Sequence, residues 1–169
     1  MTKNFLMFMG SAMPAKIPDF KLRFNQFIEP IEYMDVLQEA LPRVENEIYL
    51  NQFELNSQSL KMLMEASCNC QNLAIYDCKV DLSEGFTLDT TKRYNFTVLN
   101  LSMTISDNEN SKDRMTLESL PKFVVALAET NLKQDLKTLY LWESYCSKTA
   151  EVEKLFNDNG FDLQWQEEP

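Results

Sequence analysis

The chain contains no histidine. That removes the commonest general base, the usual nitrogen ligand of zinc sites, and any Ser-His or Cys-His relay. Glycine is nearly as scarce. With only Gly10, Gly85 and Gly160, neither a phosphate-binding loop nor a dinucleotide fingerprint can be written. No apolar run reaches the ~18 residues that would span a bilayer. Positive charge is short too: 16 Lys and Arg stand against 26 Asp and Glu, a net charge of −10. Such a surface repels phosphate backbones and anionic lipid, so neither nucleic acid nor membrane is an expected partner. With no nucleophile–base pair, phosphate loop or metal set in view, the expectation is a protein that is not an enzyme, needs no cofactor and has no small-molecule substrate.

What is present suits one domain of ordinary size. The 169 residues are 44% hydrophobic, enough for a core of its own. Four cysteines occupy positions 68, 70, 78 and 146. The gap in Cys68-Asn-Cys70 is shorter than that of a C-x-x-C knuckle. The expected reading is reduced thiols, buried or half-buried, in a cytoplasmic protein. The carboxylate pairs Asp77/Asp81 and Glu151/Glu153 are expected on solvated faces, with no acid–base role.

The informative feature is a spacing that returns. Leu136, Leu139, Leu141, Ser144 and Cys146 follow L-x-x-L-x-L-x-x-[polar]-x-L. Leu-x-Leu-like pairs recur at Leu22/Phe24, Ile48/Leu50, Leu73/Ile75 and Leu99/Leu101, each 25 or 26 residues after the one before. After Leu139/Leu141, a last alternating piece lies at Leu163/Trp165. Asn25-Gln-Phe27 and Asn51-Gln-Phe53 share three residues at one offset of 26, which reads as internal duplication. Strands are therefore expected near 22, 48, 73, 99, 139 and 163. Apolar residues at three- and four-residue spacing predict helices over 30–41, 57–67, 117–130 and 148–159, with Gly160 ending the last. In the third unit, Gly85 and two threonines predict a short or irregular helix around Leu88. The 40 residues between Leu99 and Leu139 contain a polar, aperiodic stretch, 106–113, read as an insertion in a surface loop. Residues 1–19 carry the apolar run Phe5–Met9 and are read as an N-terminal cap or a segment docking on another subunit. A presequence is the alternative.

On these residues the chain resembles the leucine-rich repeat family, and within it the ribonuclease-inhibitor-like branch, over residues 20–169. The family's ladder position is filled by Cys78, with Thr104 and Ser144 as polar substitutes; Phe27 and Phe53 depart from it. The resemblance implies an α/β fold: a short right-handed solenoid with its parallel sheet on the concave face and helices on the convex one. A 25-residue unit cannot bury its apolar side alone, whereas stacked units share one core.

Strand alternation then defines a face. If the leucine anchors point inward, one outward column is Arg23, Tyr49, Ala74, Asn100 and Tyr140. A second is Asn25, Asn51, Tyr76, Ser102 and Trp142, with Gln164 and Gln166 continuing past the end. Tyrosine and tryptophan are enriched at binding hot spots. The expected partner-binding set is Arg23, Tyr49, Asn51, Tyr76, Asn100, Tyr140 and Trp142. The competing reading is that these rings pack on each other or beneath a tail. The expected function is a non-catalytic protein–protein interaction module, a scaffold, adaptor or subunit of a larger assembly. The alternative is an inhibitor or activator of a partner enzyme, held partly through the acidic surface. A short array of this kind also fits a piece of a longer one.

Overall fold

The computed structural model describes residues 14–103, 105–106, 115–116, 119–142 and 150–166. Its centre is a six-stranded parallel sheet in the order β1-β2-β3-β4-β7-β8. The long strands are β1 (Ile17–Ile28), β2 (Val44–Asn56) and β3 (Asn72–Asp81). Shorter ones follow in β4 (Val98–Met103), β7 (Thr138–Trp142) and β8 (Leu163–Gln166). Between β4 and β7, the two-residue strands β5 (Ile105–Ser106) and β6 (Met115–Thr116) pair with each other. Parallel neighbours need crossovers, and helices supply most of them. These are α1 (Met34–Ala40), α2 (Ser57–Ala66), α3 (Leu120–Ala128), α4 (Leu132–Asp135) and α5 (Ala150–Asp158). Short 3-10 turns flank α1, and Pro30 opens the first of them. Among the described residues, no helix is long and apolar enough to cross a membrane.

The register carries the repeat. Ile48, Leu73, Leu99, Leu139 and Leu163 stand opposite one another in successive strands, as do Leu50, Ile75, Leu101, Leu141 and Trp165. The first strand corrects the expected pairing. Leu22 faces Leu50, and Phe20 faces Ile48. The anchors of β1 are thus Phe20 and Leu22 rather than Leu22 and Phe24, and Asn25 does not align with Asn51. The five steps of β1 from Arg23 to Ile28 run opposite the two from Asn51 to Phe53. The strand also opens at Ile17, ahead of the boundary expected at residue 20. Residues 1–13 of the cap or docking segment read over 1–19, and most of the insertion, 107–113, lie outside the described residues.

The sheet buries one side. Ile48, Leu50, Leu73, Ile75, Leu99, Leu101, Leu139 and Leu141 are at most 1% exposed and pack on Leu60, Leu63, Phe123, Leu127, Val152 and Phe156 from the helices. Each such side chain contributes about 1.5–3 kcal/mol by leaving water.

A left-handed residue extends the inward row. Gln52 (φ +62°) and Asp77 (φ +47°) occupy matching places in β2 and β3, and the Gln52 Nε2 donates to Asp77 Oδ2 at 3.1 Å. Strict alternation would turn Phe53 and Cys78 outward. The left-handed step points both into the core, where each is 0% exposed. There the Phe53 amide donates to Cys78 Sγ at 3.4 Å, and the thiol contacts the Tyr76 carbonyl at 3.2 Å. Phe53, read as a departure from the pattern, therefore occupies the same position as Cys78.

Local signals set the helix ends. Asn56 and Ser59 form a reciprocal capping box at α2, both bonds 2.9 Å. After α5, Gly160 (φ +88°) closes a Schellman motif, its N–H donating to the Asn157 carbonyl and the Phe161 N–H to that of Phe156, each at 3.0 Å. The third connection, residues 82–97, forms no helix. It is held as an irregular strap by buried Leu82, Phe86, Leu88, Tyr94 and Phe96. The Asn131 side chain clamps it, bonding the Tyr94 N–H at 2.9 Å and the Tyr94 carbonyl at 2.7 Å.

Candidate functional site

The side of the sheet opposite the core carries the expected partner-binding residues, in a corrected arrangement. One row runs Lys21, Tyr49, Ala74, Asn100, Tyr140 and Gln164; the next runs Arg23, Asn51, Tyr76 and Ser102. Arg23 thus belongs beside Asn51, not in line with Tyr49. Its guanidinium nevertheless leans over the Tyr49 ring, 4.7 Å from the centroid. Tyr49 in turn stacks on Tyr76 at 5.8 Å with a 26° interplanar angle. Cation, ring and ring form one layer across three strands. Such an arrangement is worth about 0.5–1 kcal/mol per contact at exposed sites. Burial raises the Tyr49 phenol above its ordinary value of 10, with Arg23 pulling the other way. Tyr49 is a neutral hydrogen-bond donor at pH 7.

The remaining members differ in how available they are. Asn51 is half-buried and donates its amide to the Tyr76 carbonyl at 3.4 Å. Asn100 and Tyr140 are half-buried side by side on β4 and β7. Ala74, expected to be outward and open, is 5% exposed. Trp142 ends β7 opposite Gln166; its side chain lies outside the described residues. Three strand steps of ~4.8 Å put Tyr49 and Tyr140 about 14 Å apart. The expected set therefore divides into an Arg23–Tyr49–Tyr76 layer with Asn51, and a separate pair, Asn100 and Tyr140. The alternative reading of these aromatics holds in part: Tyr49 and Tyr76 do pack on each other, while remaining half-exposed.

The thiols read as sequestered. Cys70 and Cys78 are buried, and desolvation pushes each up to about 12. Cys68 is half-buried, and Cys146 lies outside the described residues. Among the described residues, no three acidic, cysteine or histidine side chains converge as a metal site would require. The carboxylate pairs are more engaged than expected. Asp77 holds Gln52, Asp81 accepts the Ser83 N–H at 2.9 Å, and Glu153 accepts the Trp165 indole N–H at 3.0 Å.

A second feature had no signal in the sequence. At the C-terminal ends of β1 to β3 lies a cleft of about 500 Å³. Pro30, Met34, Leu55 and Met62 give it an apolar floor. Glu29, Asp35, Glu54 and Asp81 line it, with Lys79 as the one cation among the described residues there. Five separate chain segments contribute, and in so acidic a chain none of these carboxylates stands out by position.

No protein-family model matches the chain, and neither a curated protein nor a solved structure matches it.

Proposed function

We propose that this chain is a short leucine-rich-repeat solenoid acting as a non-catalytic interaction module, a scaffold, adaptor or assembly subunit, that binds a protein through the open face of its sheet. The observation that carries this reading is the Arg23–Tyr49–Tyr76 layer. Large amphipathic rings held in place by their neighbours lose little side-chain freedom on binding, which lowers the cost of association. Asn51, Asn100 and Tyr140 flank the layer with polar tips. The solenoid itself is supported by strands that pair only in sequence order, by the 25-residue register of β2 on β3, and by Phe53 and Cys78 recurring at one inward position. Under this reading the sheet lines a concave surface and the helices a convex one, with the right-handed sense expected of parallel crossovers.

The test places a photo-crosslinking phenylalanine analogue at Tyr49 or Tyr140, and at Val125 on α3, which is 44% exposed, as the comparison. Crosslinks to one protein are expected from the two sheet positions and not from Val125. The Tyr49→Ala/Tyr76→Ala double variant should then bind that purified protein at least about tenfold more weakly, with an unchanged far-UV spectrum. Crosslinking from Val125 alone, or unaltered affinity in the double variant, overturns the reading.

A further inference from the structure

We propose that the cleft at the C-terminal ends of β1, β2 and β3 is a second binding site, and that its occupant is an arginine or lysine side chain of a basic peptide segment in a partner protein. The site is independent of the open-face reading. Its walls come from the turn after β1, the first turn of α1, the ends of β2 and β3, and the exposed side of α2.

Size is the first constraint. About 500 Å³ is the volume of a pocket for an organic group rather than for an ion. Charge is the second. Four carboxylates face one ammonium, so an anion is excluded. Their placement is the third. Among the described residues, no three acids gather closely enough to hold a metal ion; the four carboxylates are spread over the ends of β1, β2 and β3 and the start of α1. That spacing suits a cation carried on an extended body. The floor is the fourth. Met34 and Leu55 are 7% and 3% exposed, and with Pro30 and Met62 they form an apolar bed. Arginine and lysine have the matching shape, an apolar stem with a charged head that seeks the polar rim.

The protein also shows how this rim treats a cation. Lys79 donates to Glu54 Oε1 at 3.0 Å, and its ammonium sits 4.6 Å from the centre of the Phe27 ring. Carboxylate and aromatic face together hold an alkylammonium at the wall of the cleft. Glu29 and Asp35, also in the lining, are exposed, and among the described residues no cation pairs with either. They are the groups left for an incoming guanidinium or ammonium. Gln58, exposed on the first turn of α2, supplies an amide within reach of the peptide backbone.

The experiment uses the full chain with 13C-labelled methionine methyl groups, and reads Met34 and Met62 by NMR. The probe is acetyl-Gly-Ser-Arg-Leu-Arg-Ser-Gly-amide; its control replaces both arginines with citrulline, which keeps the shape and removes the charge. Saturable shifts at Met34 and Met62 are expected with the arginine peptide, at least tenfold weaker with the citrulline peptide. The Glu29→Gln/Asp35→Asn variant changes only exposed side chains, so its methyl spectrum should stay native while its affinity for the arginine peptide falls at least tenfold. Absent shifts overturn the proposal, as does equal binding of the two peptides. So does spermine or calcium shifting the same methyl groups more tightly than the peptide does, since the cleft would then be a site for a free cation.

Discussion

Removing the Phe53 ring separates two behaviours that a compact, fully cooperative domain would keep together. Phe53 is 0% exposed, directed inward by the left-handed Gln52, and meets Phe24 edge-on at 5.3 Å with an 81° interplanar angle. Truncating a buried phenylalanine to alanine costs about 3–5 kcal/mol, of which the ring pair accounts for about 0.5–1.5 kcal/mol. If units lean only on their neighbours, that loss stays within β1, β2 and β3 and reaches the far end weakly. Both tryptophans of the chain, Trp142 and Trp165, lie in the last two strands of the sheet. Indole fluorescence therefore reports the C-terminal units, whereas far-UV circular dichroism reports them all. In urea, Phe53→Ala is expected to split the transition. The dichroism signal should lose an early phase whose midpoint falls by about 1.5 M or more, taking a slope near ~2 kcal/mol/M, while the fluorescence midpoint moves far less. Equal shifts of both midpoints would show one cooperative block and refute nearest-neighbour stacking.

Asn131→Ala leaves the buried Tyr94 backbone without its side-chain clamp and should cost about 1–3 kcal/mol, read as a lower melting temperature and faster hydrogen exchange through residues 82–97. The buried thiols make stability fall in alkali. Cys70 and Cys78 stay protonated in the native state up to about 12, against an ordinary value of 9.0. The folded chain thus holds more protons than the unfolded one between those limits. Their contribution is complete below pH 9 and lost progressively as pH rises towards 12. Peptide mapping after native alkylation at pH 8 should find Cys68 labelled well before Cys70 or Cys78; equal labelling would contradict their burial.

Most of the sheet was legible because its inward row is made of leucine and isoleucine at fixed intervals. From Ile48 onward, every expected anchor pair stands opposite its neighbour. The first strand was misplaced by two residues for a definite reason. Side chains alternate with period two, so a two-residue slip leaves every residue on its original face, and hydrophobic pattern alone cannot detect it. The shared Asn-Gln-Phe reinforced the wrong offset. What sets the true register is the extra length of β1 between Arg23 and Ile28, at a sheet edge with one paired neighbour. How Phe53 turns inward was not legible, because the step that does so depends on a backbone conformation at Gln52, a residue that rarely adopts it. On the open side of the sheet, Tyr49, Asn51, Tyr76, Asn100 and Tyr140 stand where alternation expects them. The stack of Arg23 on Tyr49 was not legible, since it joins side chains from adjacent rows. The cleft was invisible for a different reason: it exists only where five segments meet.

The left-handed residues at Gln52 and Asp77 divide the units of β2 and β3 into two parts with unequal tolerance for length. From the first anchor of a strand through the left-handed step to the next inward residue, every position is counted. Deleting Asn51, ahead of the left-handed step, would turn Phe53 and Leu55 towards the solvent and drive Glu54 into the core. Beyond the strand, nothing counts residues. Leu139 and Leu163, opposite each other, are 24 apart in sequence, whereas Leu99 and Leu139, equally opposite, are 40 apart. Insertions and deletions are therefore freely admissible in the return segments, whereas in a rung they must leave the next inward residue facing the core, as the longer β1 does where Ile28 packs inward. New sequence is spliced into this chain most freely on the way back.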